Sequence, residues 1–330
     1  MNRREAVLAL AALGATSTPF AARSQGKGKI WRVGIIFAGH ARVNNTLEGA
    51  FLAGMKQYGY EVSRNLVVDV RYADADPARY PALAEELIAL KPDVLLGSSA
   101  GVSLAFKRRT SVIPIVICTV SDAVGLGLAK SLARSGGNVT GLSMQLHELS
   151  GKHMEILGEL LPSLRRVALL TDLTQPKVLS EPYERLAKVS TDAKGMELSV
   201  HRVDGVEQIR DALRSMATRR VEAVLLNPSP RFNALRGEII RGASTGRLPS
   251  IGWEEAYAQD GGLMSYGPSF LEAYRRVAYF VDRIFKGETP SDLPIEQPTK
   301  FNLVVNTKAA KALGIGIPGA VLVRADRVIE

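Results

Sequence analysis

Short apolar, β-branched runs alternate with longer amphipathic stretches along this chain, and the alternation is made twice. In the first half, 32–37 (RVGIIF), 66–72, 93–97 and 113–118 read as strands. Between them, 44–58, 77–90 and 102–109 read as helices, the second opening on Pro77, where a missing N–H is harmless. The second half predicts strands near 166–171, 196–202, 221–226 and 249–252, with helices over 177–194, 206–218 and 232–245. Strands that are apolar along their whole length, separated by helices, belong to parallel sheets covered on both faces. Two such sets predict an α/β chain of two doubly wound parallel-sheet lobes.

Three passages break the alternation: Gly136-Gly137-Asn138-Val139-Thr140-Gly141, Gly261-Gly262-Leu263-Met264-Ser265-Tyr266-Gly267 and Gln297-Pro298-Thr299-Lys300-Phe301. A long helical pattern over 269–285 lies between the last two and belongs to neither repeat. Three crossings between lobes make a hinge that opens and shuts around a ligand. The expected division is 25–140 with 266–296 for lobe 1, and 141–265 with 297–330 for lobe 2.

The first 24 residues read differently. Arg3 and Arg4 precede an uncharged run, 6–15, and then a small-residue stretch, Ala21-Ala22-Arg23-Ser24. That is an export signal, with cleavage expected near Ser24–Gln25 and a periplasmic destination. The paired arginines suit the twin-arginine route as well as the general secretory one. The apolar run is too short for a membrane anchor, which takes roughly 20 residues. About 305 residues remain, enough for two ordinary domains.

The single cysteine, Cys118, sits in an apolar run and reads as an inert core thiol, so no internal disulfide forms. The net charge of +9 raises the question of a nucleic-acid partner. The lysines and arginines are scattered singly or in pairs, without interleaved aromatics, so a solvated surface is expected and no nucleic acid. Nothing in the sequence asks for a cofactor.

Ligands of doubly wound sheets bind beyond the carboxyl ends of the strands, so those loops hold the candidate contacts. Gly97-Ser98-Ser99-Ala100-Gly101 opens a helix, where free amides favour a carboxylate, although small residues also permit a tight turn. Ser121 and Asp122 follow the next strand; Asp122 either faces a ligand ammonium or caps a helix. Asp172, Asn227 and the group Trp253, Glu254 and Tyr257 hold the equivalent places in the second half. An aromatic wall beside a carboxylate suits an amino-acid-like or aromatic solute, with burial of Trp253 in a core as the alternative.

Three motifs mislead by spelling. Gly97-x-Ser99-x-Gly101 has nucleophile-elbow spacing, but the histidine that would follow in chain order, His201, falls inside a predicted strand. Gly314-x-Gly316-x-x-Gly319 follows a helix instead of a strand and contains Pro318, so it lacks dinucleotide-binding context. His147 and His153 are six apart, off a common helical face for a metal, and read as surface residues. No catalytic residue and no metal is expected.

The leader Arg3-Arg4-Glu5, the Gly136–Gly141 and Gly261–Gly267 passages, Asp292-Leu293-Pro294 with Gln297-Pro298-Thr299-Lys300-Phe301, and the ending Arg324-Ala325-Asp326-Arg327-Val328-Ile329-Glu330 stand in one order along the chain. In this the chain resembles the ABC transporter substrate-binding family, similar to tryptophan/tyrosine-type binding proteins of the type I periplasmic-binding fold. The resemblance implies a monomer that binds a small-molecule solute without chemistry and presents it to an ABC permease in the inner membrane. Ser98, Ser99, Ser121 and Asp122 would lie on one side of the ligand, with Asp172, Asn227 and the 253–257 segment on the other. The chain departs from the family pattern at Asp172-Leu173-Thr174 and Glu254-Glu255-Ala256-Tyr257, both at the presumed pocket, so the solute does not carry over. A sensory receptor built on the same module is the alternative function. A transcription factor of this fold would need an N-terminal DNA-binding element where this chain has its leader.

Overall fold

In the computed structural model, which describes residues 29–330, the first half of the chain winds as the alternation requires. Strands β1 (Trp31–Phe37), β2 (Leu66–Tyr72), β3 (Val94–Gly97), β4 (Ile115–Val120) and β5 (Val139–Ser143) alternate with helices α1 (Ala41–Gln57), α2 (Tyr80–Ala89) and α3 (Ala100–Arg109). They form a parallel sheet in the order β2-β1-β3-β4-β5, extended at the β5 edge by β11 (Ile295–Glu296). Residues Val33, Ile35 and Phe37 face one core and Ile36 faces the other, which is why β1 is apolar at almost every position. Each such fully buried side chain contributes about 1.5–3 kcal/mol of transfer free energy.

The second half repeats the plan. Helix α4 (Leu149–Leu160) leads into β6 (Arg166–Asp172), α5 (Lys177–Asp192), β7 (Glu197–Val203), α6 (Val206–Thr218) and β8 (Ala223–Leu226). Then follow α7 (Pro230–Ala234), α8 (Arg236–Thr245), β9 (Ser250–Gly252), α9 (Glu255–Gln259) and β10 (Met264–Pro268). The chain then forms α10 (Phe270–Phe285), β11, β12 (Phe301–Asn306), α11 (Thr307–Leu313), α12 (Gly319–Arg324) and β13 (Arg327–Ile329). The second sheet runs β7-β6-β8-β9-β10-β12-β13, with β12 antiparallel to β10.

Helix α10 returns to the first lobe. Its N-cap Ser269 accepts from the Glu272 amide at 3.4 Å, and Tyr274, Val277, Ala278, Val281 and Phe285 form a buried stripe at helical spacing. It packs along α1 and against β4 and β5. The helices approach so closely at Gly54 that an added Cβ would stand 2.6 Å from the carbonyl oxygen of Arg275.

The chain therefore passes between the sheets three times, after β5, after β10 and after β11. The division expected at 140/141 and 265/266 cuts through β5 and β10, and each of those strands stays whole within its own sheet. Residues Trp31–Glu330 form one compact unit. The expected export signal lies outside the described residues, and among these no helix is long and apolar enough to cross a membrane.

Candidate functional site

The carboxyl ends of β3 and β4 in one lobe face those of β6, β8 and β9 in the other across a chamber of about 280 Å³. That is close to the lower end of ordinary ligand sites, ~300–1,000 Å³, and suits one small solute. Six residues expected at the site line it: Ser98, Ser99, Ser121, Asp172, Asn227 and Trp253.

On the first-lobe side, Ser98 accepts from the Ala38 amide at 2.9 Å, and its carbonyl accepts from the Thr119 hydroxyl. Ser99 is the N-cap of α3 and accepts from Val102 N at 3.3 Å. The first-turn amides of α3 have no helical acceptor and open an anion-favouring terminus at the chamber. Ser121 accepts from the His147 amide at 3.1 Å, with His147 Nδ1 at 3.2 Å.

On the second-lobe side, Asp172 closes β6 with its side chain almost wholly buried. Its Oδ1 accepts from Thr174 N at 2.9 Å and Thr174 Oγ1 at 2.6 Å, while Oδ2 accepts from Ser229 Oγ at 2.5 Å. Ser229 in turn caps α7, accepting from Arg231 N and Phe232 N. Asn227 donates from Nδ2 to Ser180 O at 3.1 Å, which fixes the end of β8 against α5. Trp253 meets both expectations for it, packed into the hydrophobic core and lining the chamber.

Three expected residues do not line the chamber. Asp122 closes its own turn, accepting from Val124 N at 3.1 Å and Gly125 N at 2.8 Å; no helix follows it, so it neither lines the chamber nor caps a helix. Tyr257 is a core residue whose hydroxyl is 2.6 Å from Ser250 Oγ. Glu254 sits outside the chamber beside Arg236, Glu255 and Asp260, with Oε2 buried and unpartnered. Burial pushes its carboxyl up to about 7, against the pull of Arg236.

Several chamber residues carried no sequence signal. Tyr80, at the start of α2, reaches the site from the first lobe. Burial pushes its phenol up to about 12; a Ser99 hydrogen bond opposes this, and the charges of Asp172 and Arg231 both act on it across the chamber. Tyr274 comes from α10, and burial raises its phenol well above the usual range. Arg231 lies two residues past the expected Asn227–Ser229 loop, so extending that loop by one helical turn finds it. His153, expected at the surface, is wholly buried, because Leu149, Ile156, Leu157 and Leu160 share its helix face.

The misleading motifs resolve locally. Ser99 caps a helix, accepting from Val102 N. His201 lies within β7, and Gly314, with φ +74°, ends α11. Burial raises the thiol of Cys118 well above its ordinary value, so it stays protonated and unreactive.

Two doubly wound lobes, crossed three times by the chain and facing each other over a chamber at their strand ends, define a type I periplasmic-binding fold. The family model for ABC transporter substrate binding proteins matches residues 33–329, and the chain belongs to that family. A tyrosine-binding protein of Clostridioides difficile (strain R20291) is 23% identical over 276 residues, 83% of this chain and 78% of the relative. The crystal structure of a conserved domain protein from Vibrio cholerae superposes with a TM-score of 0.84 at 27% identity, covering 91% of this chain and 100% of that one. The ABC domain from Streptococcus pneumonia in complex with L-Trp gives 0.83 at 21% identity, covering 91% and 99%.

Proposed function

We propose that this protein is an extracytoplasmic receptor that encloses one small solute between its lobes and hands it to an ABC importer in the inner membrane. The carrying observation is the chamber itself, lined from both lobes by aromatic side chains, a helix N-terminus and Asp172 with Arg231 at 3.9 Å. The solute is an amino acid or an aromatic or carboxylate compound. The tyrosine-binding and tryptophan-bound relatives support that range. The protein acts as a monomer without chemistry: binding favours the shut arrangement, and the shut form is what the permease recognises. The three crossings serve as the hinge, with the sheets and their helices moving as lobes. The leader delivers the chain to the periplasm.

The test is a thermal-shift screen of residues 25–330, refolded from denaturant to remove carried solute, against amino acids, aromatic acids, small peptides and sugars. A ligand at 100 times its Kd adds about 2.7 kcal/mol, a shift of roughly 2 °C or more for a chain of this length. A shift confined to one chemical class supports the receptor reading. No shift with a folded protein counts against it.

A further inference from the structure

Asp172 is the one carboxylate among the described residues that line the chamber, and it is already engaged. Both oxygens accept from Thr174 and Ser229, and Oδ1 stands 3.9 Å from Arg231 Nε. A carboxylate held in this way has little left to offer an incoming ammonium.

The positive charge of the same chamber is less fully matched. Arg109 pairs with Glu85 at 3.0 Å, outside the lining. Arg108, at the exposed mouth, forms no ion pair among the described residues. Arg231 donates from Nη1 to the Asp204 carbonyl at 2.9 Å, but its Nε is buried with no hydrogen-bond partner. Arg109 is matched by Glu85, but Arg231 meets Asp172 only at 3.9 Å and without a hydrogen bond, so Arg231, Arg108 and the α3 N-terminus together leave positive potential at the chamber. The aromatic residues Tyr80, Trp253, Phe270 and Tyr274 supply the rest of the wall.

Building on the solute-binding reading above, we infer that the solute is a carboxylic acid with an aromatic or apolar body, held through its carboxylate at Arg231 and the α3 terminus. An α-ammonium contributes nothing to its recognition, because an ammonium entering the chamber would leave water without gaining a free carboxylate. Arg231 is the specificity-determining residue.

Titration calorimetry on the solute-stripped protein tests this with matched pairs: 3-phenylpropanoate against L-phenylalanine, and indole-3-propanoate against L-tryptophan. The acid of each pair is expected to bind at least tenfold more tightly than its amino acid, and Arg231→Gln to weaken the acid tenfold or more. The paired comparison needs no variant, so it decides the matter even if R231Q fails to fold. An amino acid that binds as tightly as its acid, or more tightly, overturns this inference and leaves the solute-binding reading standing. So does a solute found only among sugars or other neutral compounds. Failure of the folded protein to bind anything in either panel removes the solute-binding reading itself.

Discussion

His153 Nδ1 and the phenolic oxygen of Tyr183 lie 2.8 Å apart, and neither residue is reached by solvent. The other ring nitrogen is 2.8 Å from the main-chain oxygen of Tyr266 in β10. A carbonyl only accepts, so Nε2 carries the proton and Nδ1 takes the hydrogen of Tyr183. The neutral imidazole thereby links a chamber-lining tyrosine to the strand that leads into the second crossing.

Burial pushes the pKa of His153 down to about 4. Between that value and the ordinary 6.5, the unfolded chain binds a proton that the native one refuses. Stability is therefore complete above pH 6.5 and is lost as pH falls toward 4, by roughly 3 kcal/mol from this residue. Urea denaturation at pH 7, 6, 5 and 4 should show the decline, and His153→Gln should flatten it. At pH 7 that variant should cost about 1–3 kcal/mol through the partners it leaves unsatisfied.

Glu254 works in the opposite direction. Its carboxyl, raised to about 7, holds a proton in the native state that the unfolded chain has released. Its contribution is present below the unfolded value of 4.5 and is lost as pH rises through 7. Glu254→Gln keeps the side chain neutral throughout and should stabilise the protein by about 1–3 kcal/mol at pH 8, with the gain shrinking as pH falls and gone below the unfolded value of 4.5. Melting curves across that range check it.

The two tryptophans report from different places. Trp31 stacks on Phe285 with ring centroids 4.2 Å apart, while Trp253 lines the chamber. A solute-induced change in emission should persist in Trp31→Phe and disappear in Trp253→Phe, with titration calorimetry confirming that the second variant still binds.

Gly267, in β10, faces the turn after β9. An added Cβ would stand 1.9 Å from the carbonyl oxygen of Trp253, a main-chain atom that cannot swing aside. Gly267→Ala should cost roughly 3 kcal/mol or more, the scale of serious overpacking. Because the shift falls on Trp253, solute affinity should drop as well. Denaturant unfolding and calorimetry read the two effects separately.

The alternation of β1, β3, β6 and β8 with their helices was legible because each of these strands carries a run of at least four consecutive buried residues, almost all apolar. Strands β5 and β10 were hidden among glycines that read as breaks, yet Gly267 is small because main chain passes against it. Ser98, Ser99, Asp172 and Asn227 could be placed from topology, since doubly wound sheets present their strand ends to ligands. Tyr80 and Tyr274 could not, because they come from helices whose entry into the chamber depends on how the lobes face each other. In sequence, Tyr274 is one more member of an apolar stripe. His153 was legible in principle: it shares a helical spacing with Leu149, Ile156 and Leu160, and the polar neighbours Lys152 and Glu155 mask it.

Helix α10 covers α1 and β4, yet the whole of the second sheet except β12 and β13 is synthesised before it. A nascent chain thus carries an unsealed first core through more than a hundred residues of further synthesis. Neither half, expressed as a contiguous fragment, contains all the pieces of its own fold. Truncations and fusions are therefore best placed at the termini, and a circular permutant opened in the turn between two helices should be tolerated where a simple bisection is not.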